Sequence, residues 1–491
     1  MTTTELPKNA DALPSGALLI GGDEVSGSSG GTHQHIYPAT GKPNATIEIA
    51  GRDEVDRAVR SARQAQREWM SFTVERRRDL LMDLADLVRE HTDELSRLNV
   101  HDYGVPISVA NHTLLAERFI RYYAGYVDKN NGVSSPVSGS FDVNLVEREP
   151  YGVVGIILPW NGPLVVIGLN AVPALAAGNA VILKPSELAP LVTLRFGELC
   201  MEAGLPTGLV NVLPAGPEGG EALVRHPGVG KIHFTGGGVA ARHVLAAATH
   251  NLTPVSTELG GKSANVVFAD ADVALAAQLA AFQGPVLQSG QSCACASRIL
   301  VEDSIYEAFV EHLIPSVQLA KIGDPFDPEV LVGPVISHTA AERILTVVND
   351  AVDQAVGTLA TGGHRLGATL ADGYYIEPTV FTDVHNRSQL AQVETFGPVV
   401  SVIRFKDEDE AIRLSNDTTY GLNAFVHTKD LARAHRVARR LEAGSIWVNQ
   451  ISDISPQGPY GGYKQSGSGR AGGLEGLHEF QQVKTIRIGM G

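Results

Sequence analysis

The sequence predicts an α/β protein built on parallel sheet, and three observations predict it. From about residue 150 onward, strand-like and helix-like segments alternate regularly. The strand-like segments are short apolar runs closed by Gly or Pro, the pattern of buried strands. A second alternating section begins at "SANVVFADAD" and continues through "SRILVED" and "PVVSVIRFKDEDEAIRLSN" to "SIWVNQ". Such alternation implies parallel strands joined by right-handed crossovers.

The elements run in order along the chain. Residues 1 to about 50 read as extended and turn-rich, with "HIYPATGKP" as a turn cluster. From Asp53 a helical front section begins: "DEVDRAVRSARQAQREW" repeats apolar positions at three and four, and "ERRRDLLMDLADLVREHTDELSRLN" continues the pattern. Its arginine run, Arg76 to Arg78, reads as a solvated helix face. Then "VVGIILP", "AVILKP", "LVNVLPAG", "GKIHFTG" and "TPVSTEL" read as strands. Between them, "PLVVIGLNAVPALAAG" reads as a helix ended by Gly178, and "LAPLVTLRFGELCMEAG" as one ended by Gly204. "EGGEALVRH" and "VAARHVLAAATH" complete the set. The tail "HEFQQVKTIRIG" ends in a strand with no evident partner nearby, so another subunit is a candidate to pair with it.

Composition bounds the function. A chain of 491 residues supplies two to four domain-sized units. A net charge of −15 argues against nucleic acid and anionic membrane surfaces as partners. Three cysteines make no disulfide framework and suggest a reducing compartment. The N-terminus "MTTTELPKNADALPSG" lacks a basic region followed by an apolar core, so no signal peptide is read. The most apolar stretch, from Pro163, is interrupted by Asn170, Pro173, Gly178 and Asn179, which argues against a membrane span. The chain reads as a soluble cytoplasmic protein.

Four segments carry candidate chemistry. In "HFTGGGVAA", Gly236, Gly238 and Ala241 fit a strand–turn–helix phosphate loop. That fingerprint expects an acidic residue about 20 positions on, where Glu258 of "STELGGKS" stands, so this pattern assigns Glu258 to a ribose. "PWNGP" follows a buried strand and offers the flat wall of Trp160 and the amide of Asn161, although an ordinary Asx turn has the same sequence. In "ILKPSE", Lys184 and Glu187 can grip a diol or phosphate, or form a plain surface pair. Finally, "QSGQSCACASR" holds Cys293 and Cys295. Ser292 is a candidate cap for a helix beginning near Cys293, whose N-terminus would activate a thiol. No Cys/His cluster of zinc spacing accompanies the pair, so no metal is expected. Local chemistry does not choose between the two cysteines.

Taken together, "PWNGP", "KPSE", "FTGG", "ELGGKS", "GQSC", "ETFGPVV", "WVN" and "GGYKQSGSGR" resemble, in order, the motifs of the NAD(P)-dependent aldehyde dehydrogenase superfamily. The resemblance implies two Rossmann-like α/β domains plus a β-strand oligomerisation arm. Residues 1–130 and 150–260 would bind NAD, 261–460 would form the catalytic domain, and 131–149 with 475–491 the arm. It implies a homodimer or homotetramer. It also implies Cys293 as nucleophile, Glu258 as general base instead of ribose ligand, and Asn161 as oxyanion donor. Lys184 and Glu187 would hold the adenine ribose, and the Glu187 carboxylate would favour NAD over a 2′-phosphate. Glu394 would meet the nicotinamide ribose, Phe396 the nicotinamide, and Trp160 and Gly236 the phosphate region. Cys295 becomes a packing residue about two positions into the helix. The implied reaction is oxidation of an aldehyde to an acid through a thiohemiacetal and a thioester, hydrolysed by a Glu258-activated water. Glu258 argues against the rival CoA-acylating type, and the retained trio argues against a catalytically silent relative.

The chain departs from that family pattern near the nucleophile. Gly237 replaces a common serine, Leu287 an aromatic and Gln288 an asparagine, and Gly284-Pro285 interrupts the preceding helix. Gly162 and Leu169 stand where aromatics are frequent. These changes predict a reshaped approach and a pocket of Gly162, Val166, Leu169, Ser292, Ala294 and Ile454 suited to a bulky or apolar aldehyde.

Overall fold

The computed structural model describes residues 13–110, 112–135 and 143–489. Most of the N-terminal stretch read as lacking a signal peptide lies outside them, as do parts of both segments assigned to the arm. No helix among the described residues is long and apolar enough to cross a membrane.

The first sheet has eight strands. Its five central strands are parallel, in the spatial order Val255–Glu258, Lys231–Thr235, Val153–Ile157, Ala180–Lys184, Val210–Val212. Leu18–Ile20, Asp23–Val25 and Gly467–Ser468 add antiparallel edges. All five strands read from the sequence are present. The chain fills one side from Val153–Ile157 outward, then returns to fill the other. Strand order therefore reverses beside Val153–Ile157, and ligands gather at the carboxyl edge of such a switch point.

The second sheet has seven strands in the order Thr358–Thr361, Thr379–Thr382, Val399–Phe405, Arg298–Glu302, Ala264–Val267, Asn423–His427, Ser445–Val448. All pairs are parallel except the first. The third sheet joins Gln481–Ile488, Val143–Pro150 and Val133–Ser135 in antiparallel fashion. The tail strand thus finds its partner in its own chain, across Gln481↔Pro150 to Ile488↔Val143. The two strands are far apart in sequence, beyond the reach of local sequence reading.

The helical front section comprises Arg52–Ser71, Val74–Glu90 and Thr92–Tyr103. Its second and third helices are separate, with His91 between them. Glu54 accepts from the Gly51 amide and Thr73 caps Arg76, which closes open amides at both starts. Trp69 is fully buried and donates its indole N–H to Leu175 O at 3.0 Å, fixing the first helix to the helix Val172–Ala176. The arginine run is only partly a solvated face. Arg77 is buried, with its guanidinium 3.5 Å from Met70 Sδ, because the run turns one residue in three or four toward the core.

Candidate active site

Strand register assembles the site's first side. Phe234, Ile157 and Lys184 lie side by side on three neighbouring strands, and Thr235 pairs with Glu258. Chain leaving these ends must cross the carboxyl edge of the sheet. After Ile157 it forms the Trp160–Gly162 turn, and Pro163 starts the next helix. That helix widens into a π turn over Ile167–Ala171 before Val172–Ala176. Pro173 lacks the N–H that a continuous α ladder requires, which accounts for the wider turn.

Glu258 ends its strand and is 7% exposed. Burial pushes its carboxyl well above the usual carboxylate range, with Arg470 opposing and Glu479 adding to the shift. Its Oε2 has no hydrogen-bond partner among the described residues. A buried, unsatisfied and weakly acidic carboxyl is suited to receive a proton from water.

The second side arrives from the second domain-sized unit. The helix Val273–Ala281 gives way to a π turn over Phe282–Val286 that contains Gly284 and Pro285. Gln288, Ser289 and Gly290 then take successive left-handed conformations, with φ of 52°, 53° and 68°. The predicted reshaping of the approach is therefore a break in the helix followed by a reversal. Gln291 anchors the segment leading to the nucleophile: its Oε1 accepts from Ile336 N at 2.9 Å, and its Nε2 donates to Pro334 O at 3.3 Å.

Cys293 stands in a turn, and no helix begins there. Ser292 Oγ accepts from Ala294 N at 3.2 Å and Ser292 O from Cys295 N at 3.1 Å, which makes a local turn and not a helix cap. Helix-dipole activation is therefore absent, and Cys295 does not lie inside a helix. Cys295 is buried and its thiol donates to Gly284 O at 3.5 Å. Burial raises the Cys293 thiol to about 11, the Tyr460 hydroxyl opposes this, and Glu394 and Glu258 reinforce it. Burial raises Cys295 further, to about 12.

The two sides meet around a cavity of about 620 Å³. Asn161, Glu258 and Cys293 line it, as do all six pocket positions read from the sequence: Gly162, Val166, Leu169, Ser292, Ala294 and Ile454. The Asn161 side-chain amide donates to Gln291 O at 2.9 Å. Two lining residues carry no local sequence signal. Tyr460 Oη is 3.8 Å from Cys293 Sγ. His112 contacts Tyr103 Oη at 2.9 Å and Gln288 Nε2 at 3.2 Å, and burial lowers its imidazole to about 4, so it is neutral at pH 7.

The residues read as cofactor ligands are not among those lining this cavity. Trp160 and Phe396 meet edge to face, with ring centroids 5.4 Å apart at 88°. Glu394 Oε1 accepts from Gly261 N at 2.9 Å. Lys184 is buried, and burial lowers its ammonium while Glu187 raises it. This cation–carboxylate pair stands at the strand end beside the switch point and suits a ribose diol. Two strands away, Gly237 precedes the helix Gly238–Ala248, and a Cβ built on it would meet nothing within 4 Å. That open helix start suits a phosphate. The residues present thus fit a dinucleotide.

Comparison with known proteins gives a consistent result. The chain matches the profile described as "Aldehyde dehydrogenase family" over residues 25–486. Betaine aldehyde dehydrogenase from Staphylococcus aureus, solved with NAD+, superposes with a TM-score of 0.93 at 36% identity, covering 96% of this chain and 94% of that one. PnpE from Pseudomonas sp. WBC-3 gives a TM-score of 0.94 at 38% identity, covering 97% and 98%. PnpE solved with nicotinamide adenine dinucleotide gives 0.94 at 37% identity, again covering 97% and 98%.

Proposed function

The chain belongs to the aldehyde dehydrogenase family, and on that premise we propose that Cys293 is its nucleophile, Asn161 its oxyanion donor and Glu258 the base for hydrolysis. The protein oxidises an aldehyde to a carboxylic acid, with bound NAD supplying the hydride acceptor. The observation that carries the residue assignment is the convergence on one cavity of a thiol, an amide and a buried carboxyl whose Oε2 has no hydrogen-bond partner among the described residues. A cysteine captured both BME-modified and BME-free in the S. aureus enzyme supports a reactive thiol in this family.

The steps are set by these groups. The Cys293 thiolate attacks the aldehyde carbon, forming a C–S bond and moving the carbonyl electrons to oxygen. Asn161 has two amide hydrogens. One is held by Gln291 O, which leaves the second, with the Cys293 backbone N–H, for the oxyanion. Return of the electrons expels hydride and leaves a thioester on Cys293. Glu258 takes a proton from water as the water oxygen bonds to the acyl carbon. The C–S bond then breaks, releasing the acid and restoring the thiolate.

Lys184 and Glu187 are assigned to the adenine ribose, with Glu187 disfavouring a 2′-phosphate. Gly236 and Trp160 are assigned to the phosphates, and Glu394 and Phe396 to the nicotinamide riboside. Residues 1–130 and 150–260 are assigned to the NAD-binding domain, 261–460 to the catalytic domain, and 131–149 with 475–491 to an oligomerisation arm. Sheet membership supports this division, with Gly467–Ser468 as an added edge on the first sheet. The exposed Val483 and Ile488 on the Gln481–Ile488 edge strand support a homodimer or homotetramer. Cysteine usage supports a cytoplasmic location.

The substrate class proposed is a bulky or apolar aldehyde. Its support is the apolar wall of Val166, Leu169, Leu287 and Ile454 beside the side-chain-free Gly162. An aldehyde panel followed by NADH absorbance tests this. Long-chain or aromatic aldehydes should exceed acetaldehyde in kcat/KM by at least about tenfold, and comparable values would overturn it.

A further inference from the structure

The hydroxyl of Tyr460 and the thiol of Cys293 lie 3.8 Å apart, within reach of a hydrogen bond to sulfur. Tyr460 is firmly placed. It exchanges both backbone hydrogen bonds with Ala471, at 2.6 and 2.8 Å, and the residue is 5% exposed. A second side chain fixes the hydroxyl. Asn423, buried at the start of the Asn423–His427 strand, donates its amide to Tyr460 Oη at 3.3 Å. A phenol oxygen has one proton and can also accept. With the Asn423 amide on the oxygen, the proton is what remains for the sulfur. A donor facing a sulfur favours the thiolate over the thiol.

We propose that Tyr460 is a further catalytic residue: its hydroxyl, oriented by Asn423, donates a hydrogen bond to the Cys293 sulfur and stabilises the thiolate formed for attack. The surrounding charges make such a donor necessary. Glu258 and Glu394 face Cys293, and both carboxylates disfavour a thiolate there. The neighbouring thiol is Cys295, a weaker acid than Cys293. Among the cations, Lys262 faces Cys295 and Glu394, Arg298 faces Lys262, and Arg470 faces Glu258, while Arg118 and Asp453, of opposite charge, line the same cavity as Cys293. The cavity-lining imidazole of His112 is neutral at pH 7. Tyr460 is the side chain that opposes burial at this sulfur, together with the Cys293 backbone N–H.

The proposal rests on Cys293 being the nucleophile, so its test reads the thiol directly. The full-length protein is alkylated with iodoacetamide at fixed pH values from about pH 6 to about pH 10, and the rate of Cys293 modification is followed by peptide mass spectrometry. Tyr460→Phe keeps the ring and removes the hydroxyl. It should lower the alkylation rate at each pH by about tenfold, the effect of about 1 pH unit on the thiolate fraction, and lower kcat at neutral pH more than it changes KM. Asn423→Ala should lower the rate the same way by less. The double variant should be no slower than Tyr460→Phe alone, because both act through one hydrogen bond. An unchanged rate in Tyr460→Phe, or in Asn423→Ala, would overturn the proposal. Full activity in Cys293→Ala would instead defeat the nucleophile assignment and would leave the alkylation profile of the native thiol as it was, so the two failures are separate.

Discussion

The amide of Asn161 lies 2.9 Å from the backbone oxygen of Gln291, and this bond, with that of the Gln288 amide to Asn161 O at 3.3 Å, joins the two halves of the site. Asn161 follows the strand at the switch point of the first sheet, whereas Gln291 precedes the nucleophile by two residues in the second unit. Asn161→Ala removes both the side-chain tie and the oxyanion donor. It should lower kcat by about 10²–10³, as loss of one such donor does elsewhere. Steady-state kinetics checks this, with iodoacetamide labelling of Cys293 to show that the thiol is still in place.

Glu258→Gln should block deacylation. Rapid mixing with NAD and aldehyde should give a burst of NADH near one equivalent, followed by a turnover rate lowered by about 10²-fold or more. In the native protein, burial holds the Glu258 carboxyl above its usual range. A raised acid is protonated over a wider span, so its basic form is lost as pH falls and gained as pH rises. Thioester hydrolysis should therefore increase as pH rises and decrease as pH falls. If Glu258→Gln mainly weakened NAD binding and left hydrolysis intact, the ribose role suggested by the glycine fingerprint would be the right one.

Glu187→Gln should relax cofactor choice. Removing the carboxylate beside Lys184 leaves a cation facing the site, so kcat/KM with NADP should rise relative to NAD by about tenfold or more. Paired kinetics with the two dinucleotides reads the ratio directly.

Gly290→Ala should damage both stability and activity. Gly290 has φ of +68°, and a Cβ there would sit 2.1 Å from Gly397 O, a backbone atom unable to swing aside. A loss of about 2–4 kcal/mol is expected, read from chemical denaturation. The displaced segment carries Gln291 and Cys293, so residual activity should fall as well.

The strands of the first sheet were legible because each is a short apolar run between turn residues. Cys293, Asn161 and Glu258, which line one cavity, are singled out by the family resemblance alone; local chemistry leaves the two cysteines equivalent and points Glu258 to a ribose. Other features were not legible, for physical reasons. A helix cap at Ser292 was a sound local expectation, but three left-handed residues at 288–290 and the anchors on Gln291 turn the chain before a helix can form. Arg77 looked solvated because charge alone does not reveal which face of a helix meets the core. The partner of the tail strand, the imidazole of His112 and the hydroxyl of Tyr460 all depend on contacts between distant parts of the chain. The His112–Gln288 pair, for example, spans 176 residues.

The measurement that tests the central claim most directly is the intact mass of the protein quenched during turnover with NAD and aldehyde, followed by peptide mapping. An acyl group should appear on Cys293, accumulate further in Glu258→Gln, and be absent from Cys293→Ala, which should also form no NADH. An acyl group on Cys295, or full NADH formation by Cys293→Ala, would contradict the account.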